Sequence, residues 1–388
     1  MDNDKKLNIL MLSFDWRNIF STDFDGMKSK LGRDHLEPNH NNFFIFSWSN
    51  DSYFKKIDNF ETVHFKARWK HFRVAYDFLT FFMLPLTLHK YKFKPDVIIC
   101  YDFPFVLSCV IPKVLWGGRI LVILSALPSQ LAGTRGLFGF VRVAYQRLVE
   151  KLAINFIDDY FAIGEATKKY LLDLGVKKEV MIMPPDTFSQ WKTSMEKVRE
   201  GEIKNKYGIG GTDKKIILSV GRLEVEKNYD NLLIAWSKMK TNDWILIIAG
   251  EGSLLSKLRD LSKQLNIEKN VIFAGRISRE EIWSYYKDAS AFVLFSKSEG
   301  LGLVFWEAMI MNVSCIGSRV GGIIDSIGAN EERGFFGDPG NPSELESIIS
   351  QCINRDQEVR EKIVRARQYV EDKASFCYNI NNYYKDRI

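Results

Sequence analysis

The chain has 388 residues, more than one typical core requires, so its length predicts two domains. Hydrophobic residues make up 46% and charged residues 26% of the chain, which is the balance of a globular protein. The net charge of +6 would also suit a nucleic-acid-binding protein, but no nucleic-acid motif accompanies it. The five cysteines include no C-x-x-C pair, and three lie in apolar runs. These cysteines predict reduced thiols, a cytoplasmic protein and no cysteine-based metal site.

The first domain is predicted as an α/β unit over residues 1–190. The N-terminal residues run into an apolar strand at 7–13 and are not expected to form a signal peptide. Further apolar runs at 95–101 and 119–125 predict buried strands, and a strand–helix unit begins at 160–167. This alternation of strands and helices indicates an α/β fold.

Residues 66–95 interleave basic and aromatic side chains. The basic residues are Lys66, Arg68, Lys70, Arg73, Lys90, Lys92 and Lys94, against the single acid Asp77. The apolar part is too short to span a bilayer and contains Pro85. The pattern predicts peripheral contact with an anionic membrane, and the plainer alternative is an amphipathic helix with a solvated basic rim. We expect the aromatic side chains to be buried, which disfavours base stacking and a nucleic-acid partner.

The second domain is predicted over residues 191–365, after a charged connection. A C-terminal helix is predicted over 366–388 and is expected to pack back on the first domain. An apolar strand at 215–220 leads into Gly221, and Arg222 and Lys227 follow. Residues at the carboxyl end of a strand are where open α/β sheets bind ligands, and two cations can neutralise a leaving diphosphate without metal. The alternative is a basic loop capped by neighbouring glutamates.

Residues 298–309 combine two carboxylates, a glycine turn and a predicted helix start. Glu299 lies on the turn and Glu307 lies more than one turn into the helix. The glycines allow close approach of a ligand to the backbone, and the first amides of the helix attract an anion. These features predict that one carboxylate binds a sugar, the other binds a ribose, and a phosphate lies between them. The alternative is a strand–turn–helix unit whose acids are merely solvated.

Four shorter glycine-containing segments lie in the same half of the chain: three predicted strands that end in a glycine turn, and a late loop. They lie at 244–252, 271–277, 315–323 and 334–339. Each alone indicates only a turn, but their order and spacing, together with the two segments above, are specific.

This ordered set, over residues 215–340, resembles the donor site of the family-4 retaining glycosyltransferases. The resemblance implies an α/β protein of GT-B architecture, with two Rossmann-like domains facing a central cleft. It implies catalytic roles for Glu299, Arg222 and Lys227, with Glu299 orienting the donor sugar. The implied donor-binding residues are Glu307, Gly300, Leu301, Gly302, Leu303, Val304, Gly221, Gly250, Gly252 and Arg276.

The resemblance implies a retaining transfer of sugar from a nucleoside diphosphate sugar to a glycan or lipid-linked acceptor. No metal and no cofactor are expected. The protein is expected in the cytoplasm, either free or at the inner face of the membrane, with a role in polysaccharide biosynthesis. The alternatives are a nucleotide-sugar epimerase on the same fold and a non-catalytic protein that binds sugar nucleotides.

The first domain departs from the family pattern. Many members carry a glycine-rich turn after the first strand and a histidine after the strand aligned with 121–124, where this chain has Ser125. Acceptor-side candidates are Asp15, Asp25, Asp102 and Ser125, although a turn or capping role is the simpler interpretation of each. Asp25 also closes a D-x-D motif, which we interpret as coincidence.

Overall fold

The structure is a computed structural model of the chain. It describes residues 6–15, 40–49, 52–66, 73–101, 103, 105–124, 137–183, 188–239, 243–374, 383–384 and 387. Contacts divide the chain into two units. The first comprises Met1–Pro128, Thr134–Asp186 and Phe376–Ile388, and the second comprises Ser129–Gly133 and Thr187–Ser375.

The first unit is built on a sheet of eight strands within the described residues. The strands are β1 (Asn8–Asp15), β2 (Asn42–Ser49), β3 (Tyr53–Ile57), β4 (Phe60–Lys66), β5 (Val97–Tyr101), β6 (Arg119–Leu124), β7 (Asp159–Ala162) and β8 (Val180–Ile182). Their order is β3-β4-β2-β1-β5-β6-β7-β8, and every pair is parallel except β3 with β4. The chain order reverses on either side of β1, as in doubly wound α/β folds.

Helices cover one face of this sheet. They are α1 (Arg73–Lys90), the 3-10 turn η1 (Val106–Cys109), α2 (Val110–Trp116), α3 (Leu137–Ala153) and α4 (Glu165–Leu174). Leu84 and Leu88 of α1, Cys109 of η1, Ala153 of α3 and Leu171 of α4 belong to one core cluster with strand residues. The four helices therefore share one layer, held to the sheet by apolar contacts.

The second unit has a parallel sheet of six strands among the described residues, in the order β11-β10-β9-β12-β13-β14. Its strands are β9 (Lys215–Val220), β10 (Trp244–Ala249), β11 (Val271–Gly275), β12 (Ala289–Leu294), β13 (Ser314–Gly317) and β14 (Phe335–Phe336). Its helices are α5 (Phe188–Met195), α6 (Glu202–Lys206), α7 (Tyr229–Lys238), α8 (Leu255–Gln264), α9 (Ile282–Asp288), α10 (Leu303–Ile310), α11 (Gly321–Ile327), α12 (Pro342–Asn354) and α13 (Gln357–Ala374), with the 3-10 turn η2 at Val225–Lys227.

The strands predicted in both halves are confirmed. The apolar runs on which they were based form parallel strands, and most of these strands are buried. The predicted helix start at Leu303 is also confirmed. Asp15 is the last residue of β1, but its side chain lies outside the described residues, as do Asp25, Asp102 and Ser125. Their predicted acceptor-side roles stay predictions.

The expectation that the aromatic side chains of residues 66–95 are buried is wrong for Phe78 and Phe82. These side chains, on α1, are 66% and 53% exposed, whereas Leu84 and Leu88 on the opposite side of the helix are buried. Only one side of α1 can contact the sheet, so the apolar residues of its other side face solvent. Among the described residues, no helix has the length and apolar character needed to cross a membrane.

Residues near the C-terminus are anchored to the first unit. The hydroxyls of Tyr383 and Tyr384 donate to the two carboxylate oxygens of Asp159, at 2.8 and 2.9 Å. Arg119 donates to the same carboxylate at 3.0 Å. Burial acts to raise the pKa of Asp159, but these hydrogen bonds outweigh it and hold the pKa below its usual value. The helix preceding this anchor, α13, begins at Gln357, earlier than the start predicted at 366.

We expect Tyr384→Phe to lower the free energy of unfolding of the first unit by about 1–3 kcal/mol, because the buried Asp159 carboxylate loses a donor. The pKa of Asp159 is depressed in the folded state, so the loss should be full at pH 7 and should shrink as the pH falls through that pKa. Urea unfolding at pH 7 and pH 3 measures it. Asp173→Asn, at an exposed acid on α4, is the control. Equal effects of the two variants would contradict the anchor.

Candidate active site

The loop after β9 is held in place by the glycines that follow β10. Gly221 donates its amide to the Ala249 carbonyl at 3.0 Å. A Cβ on Gly250 would lie 1.9 Å from the Gly221 carbonyl oxygen, and one on Gly252 would lie 2.4 Å from that of Leu223. Gly250 and Gly252 are therefore required for backbone packing that sets the position of Arg222 and its neighbours.

The predicted cations of this loop are both ion-paired. Lys227 Nζ lies 2.5 Å from Glu299 Oε2, and each of these side chains is only 13% exposed. Arg222, 62% exposed, pairs with Glu226 at 2.6 Å. The Glu226 carbonyl also accepts a hydrogen bond from the Lys297 amide at 2.7 Å, which ties the loop after β9 to the loop after β12. The structure therefore pairs Lys227 with Glu299 across two loops, and it pairs Arg222 with Glu226 on the loop after β9.

The turn that carries Glu299 is supported from behind by a pair of glycines after β13. Gly322 donates its amide to the Glu299 carbonyl at 2.9 Å. A Cβ on Gly321 would lie 2.1 Å from the same carbonyl oxygen, and one on Gly322 would lie 2.3 Å from that of Gly300. Any side chain at either position would displace the Glu299 turn.

The helix that carries Glu307 begins directly after this turn. Gly302 precedes α10 with a φ of +75°, a conformation that favours glycine. Gly300, Leu301 and Gly302 are buried, whereas Leu303 and Val304 keep partial exposure. The first amides of a helix have no intrahelical acceptor, so this end of α10 can donate to an anion.

Glu307 is held by a tyrosine from α9. The Tyr286 hydroxyl donates to Glu307 Oε2 at 2.8 Å. Burial of the Glu307 carboxylate raises its pKa to about 7, although the Tyr286 hydrogen bond and the positive charge of Arg279 both act to lower it. Burial therefore favours the protonated form of this carboxyl group more than it would be favoured in water.

Arg276 was predicted as a donor-binding residue. The structure places it, exposed, directly after that strand, while Arg279 is the cation whose charge acts on Glu307. Sequence reasoning missed Arg279 and Tyr286, because no spacing rule links α9 to α10. Sequence reasoning recognised the two glycines after β13 only as a turn. Two adjacent glycines at the start of a helix were the signal that another backbone segment packs closely there.

In the part of the chain described here, no group of three His, Cys, Asp or Glu side chains is placed to hold a metal ion.

The arrangement gathers complementary groups for a phosphorylated sugar. Cations, two carboxylates and a helix N-terminus lie at the carboxyl ends of neighbouring strands, where an α/β sheet binds ligands. Guanidinium, ammonium and helix amides suit phosphate oxygens, and carboxylates accept from hydroxyl groups.

Residues 200–369 match the family model described as glycosyl transferases group 1. The chain carries a group 1 glycosyltransferase domain. All the predicted catalytic and donor-binding residues fall inside it. The predicted family resemblance is confirmed at this level, while the retaining family-4 subtype stays a prediction.

Three curated relatives resemble the chain. An uncharacterized glycosyltransferase of Methanocaldococcus jannaschii is 32% identical over 56% of this chain and 59% of its own length. The alpha-monoglucosyldiacylglycerol synthase of Streptococcus pneumoniae is 25% identical over 62% of this chain and 55% of its own length. The match thus spans little more than half of these two relatives. The capsular polysaccharide biosynthesis glycosyltransferase CapM of Staphylococcus aureus is 26% identical over 83% of each chain.

Solved structures show the fold beyond the group 1 domain. A sucrose-phosphate synthase from Thermosynechococcus elongatus aligns with a TM-score of 0.77 at 17% identity, over 98% of both chains. Anabaena HepE in complex with UDP and glucose aligns with a TM-score of 0.67 at 15% identity, over 95% of both chains. The chain therefore has the GT-B fold, as predicted, with an α/β sheet in each of its two units.

We expect Glu307→Gln to raise the free energy of unfolding of the second unit at pH 8. The folded pKa of about 7 exceeds the ordinary 4.5, so the ionised carboxylate destabilises the fold increasingly above pH 4.5 and fully above pH 7. Glutamine still accepts the Tyr286 hydrogen bond and cannot ionise. Because the side chain keeps partial exposure, we expect a gain of ~1–2 kcal/mol.

Urea unfolding at pH 8 and pH 5 measures this gain, which should be present at pH 8 and small at pH 5. Glu268→Gln, at an exposed acid, is the control and should change neither value. A stability gain for Glu307→Gln that is equal at both pH values would contradict the raised pKa.

Proposed function

We propose that this protein is a retaining glycosyltransferase that moves a sugar from a nucleoside diphosphate sugar to a glycan or lipid-linked acceptor, without a metal ion. The observation that carries the proposal is the pairing of Lys227, on the loop that also carries Arg222, with Glu299, on the turn that leads into α10. The pair combines a phosphate-binding cation and a hydroxyl-binding carboxylate at one point. A donor sugar joined to a diphosphate presents both complementary groups at this spacing.

In this mechanism Glu307 accepts hydrogen bonds from the ribose and Glu299 accepts them from the donor sugar. The bond between the anomeric carbon and the diphosphate oxygen breaks, and the electron pair leaves with the diphosphate. Arg222, Lys227 and the first amides of α10 stabilise the resulting charge.

The acceptor hydroxyl oxygen then bonds to the anomeric carbon on the same face, and its proton passes to a diphosphate oxygen. The products are the glycosylated acceptor and a protonated nucleoside diphosphate. The configuration of the sugar is retained. The role we give to the leaving phosphate removes the need for a protein base, and the two site cations provide the charge that a metal would otherwise supply.

Two features support a lipid-linked acceptor at the cytoplasmic face of a membrane. One Streptococcus relative is named a synthase of a glucosyl diacylglycerol. Independently, α1, within the 66–95 segment predicted to contact lipid, exposes Phe78 and Phe82. Transfer to such an acceptor would move a sugar from a water-soluble donor onto a membrane-bound molecule.

An epimerase or a non-catalytic binding protein would use part of the same site. A binding protein needs affinity for the donor but no cations placed to stabilise a departing diphosphate. An epimerase would release nucleotide with water alone. The acceptor dependence of nucleotide release therefore separates the three functions.

We expect Lys227→Met, Arg222→Met and Glu299→Ala each to lower the rate of nucleotide release on the order of 100-fold, because each removes a contact to the leaving group or sugar. The measurement is nucleotide release from UDP-, GDP- and ADP-sugars, with and without bacterial lipid extract. Lys257→Met, at an exposed lysine on α8, is the matched control.

The proposal is supported if nucleotide is released from one donor only when the lipid extract is present, and if this release is lost in the three variants. Release without any acceptor would favour the epimerase. Donor binding without release, under every condition and with defined glycan acceptors, would favour the binding protein. Release that persists in Glu299→Ala would contradict the site itself.

We further expect the product to keep the anomeric configuration of the donor and the rate to be unchanged by EDTA. Proton NMR of the product reports the configuration through the anomeric coupling constant. An inverted product would exclude the same-face mechanism. A rate that collapses with EDTA and returns with a divalent cation would show that the two side-chain cations are insufficient.

A further inference from the structure

Most exposed large hydrophobic side chains of the described residues lie on the first unit. Thirteen such side chains are exposed, and eleven belong to that unit. Single exposed apolar residues are common on protein surfaces, but a contiguous group marks an interaction site. Whether the eleven exposed side chains of the first unit form such a group depends on which helices carry them.

Three helices of the first unit bring most of them together. Leu84 of α1, Cys109 of η1 and Ala153 of α3 pack into the same core cluster on one face of the sheet. Helix α1 contacts α2, and α3 contacts η1, which leads directly into α2. Helices α1, α2 and α3 are therefore neighbours in the layer that covers this face of the sheet.

Each of these helices presents apolar side chains outward. Phe78, Phe82 and Leu86 follow one another at single-turn intervals along α1, and Leu86 is 71% exposed. On α2, Val114 is 78% exposed, and Leu115 beside it is also exposed. Each of these five side chains keeps more than half of its surface exposed.

Helix α3 alternates apolar and basic residues on its exposed side. Leu148 and Leu152 are exposed one turn apart, and so are Arg147 and Lys151 beside them. We name the whole area the α1–α3 surface. It consists of Phe78, Phe82, Leu86, Val114, Leu115, Leu148 and Leu152.

The charge around the α1–α3 surface has one sign. Residues 66–156 contain thirteen lysines and arginines against four acids, an excess larger than the +6 of the whole chain. Of those acids, Asp96 accepts from the Asn8 amide, and Glu150 is buried and accepts from Tyr170. The carboxylates of Asp77 and Asp102 lie outside the described side chains.

Every described, exposed side chain that carries a full charge between 78 and 156 is basic. These residues are Lys90, Lys92, Lys94, Arg147 and Lys151. Lys90 continues the exposed stripe of α1 one turn beyond Leu86. Apolar side chains edged by lysine and arginine suit a surface that is apolar inside and anionic outside.

We propose that the α1–α3 surface sits on an anionic lipid bilayer. The three helices lie in the plane of the interface, with their phenylalanine, leucine and valine side chains among the acyl chains and the lysines and arginines at the headgroups. A second copy of the chain is a poorer occupant, because two such surfaces would face each other with like charges. The proposal extends past residues 66–95 to α2 and α3, and it is independent of the proposed reaction.

The test is co-sedimentation with vesicles of phosphatidylcholine and phosphatidylglycerol, and with vesicles of phosphatidylcholine alone. The variant Phe82→Asp/Val114→Asp/Leu152→Asp places one carboxylate on each helix. Val364→Asp, at a 68% exposed valine of α13 in the second unit, is the matched control. We expect wild type and Val364→Asp to bind the anionic vesicles, less tightly at high salt, and the triple variant to bind at least about tenfold more weakly.

A second variant, Lys90→Gln/Lys92→Gln/Lys94→Gln, tests the charge without touching apolar contacts, should the triple variant fail to fold. It should bind anionic vesicles more weakly and lose part of the salt dependence. Wild type that stays in the supernatant, or variants that bind as wild type does, would overturn the proposal. So would a wild-type dimer, detected by light scattering, that dissociates in the triple variant.

The vesicle assay contains neither donor nor acceptor. Failure to release nucleotide from any sugar donor would therefore leave the vesicle result standing. Conversely, a protein that turns over its donor but does not bind vesicles would contradict the proposed membrane surface and leave the proposed reaction intact.

Discussion

The candidate site depends on close packing of backbone against backbone at the carboxyl edge of the second sheet. Gly250 and Gly252 lie against the loop after β9, and Gly321 and Gly322 lie against the Glu299 turn, at distances that exclude a Cβ. Parallel strands bring these loops to one edge, but only residues without side chains let them interlock. The positions of the functional side chains follow from that interlocking, so the glycines control the chemistry without carrying any of it.

The sequence predicted the strands, the start of α10 and both site glutamates, because each is marked by a local pattern of apolar runs, glycines and a helix start. It did not predict that Lys227 pairs with Glu299, 72 residues away, or that Tyr286 holds Glu307. Such contacts depend on which strands are neighbours, and spacing along the chain does not contain that information.

The exposure of Phe78 on α1 failed to follow from sequence for a related reason. Hydrophobic periodicity shows that a helix has an apolar side, but α1 is apolar on more of its circumference than the sheet covers. How much of the helix surface is covered depends on the sheet and the neighbouring helices against which the helix packs. In the described part of the second unit, by contrast, the layers leave only Val225 and Val364 exposed among the large apolar side chains.

In the proposed reaction, the Lys227–Glu299 pair also affects the order of events at the site. A nucleoside diphosphate without its sugar would draw Lys227 away and leave the largely buried Glu299 carboxylate without its ion-pair partner, which is costly. An intact sugar nucleotide supplies a substitute for each member of the pair. Once the sugar has departed, re-formation of the pair competes with the remaining diphosphate for Lys227. In that reaction, the ion pair would therefore act as an internal competitor that favours release of the spent nucleotide over its retention.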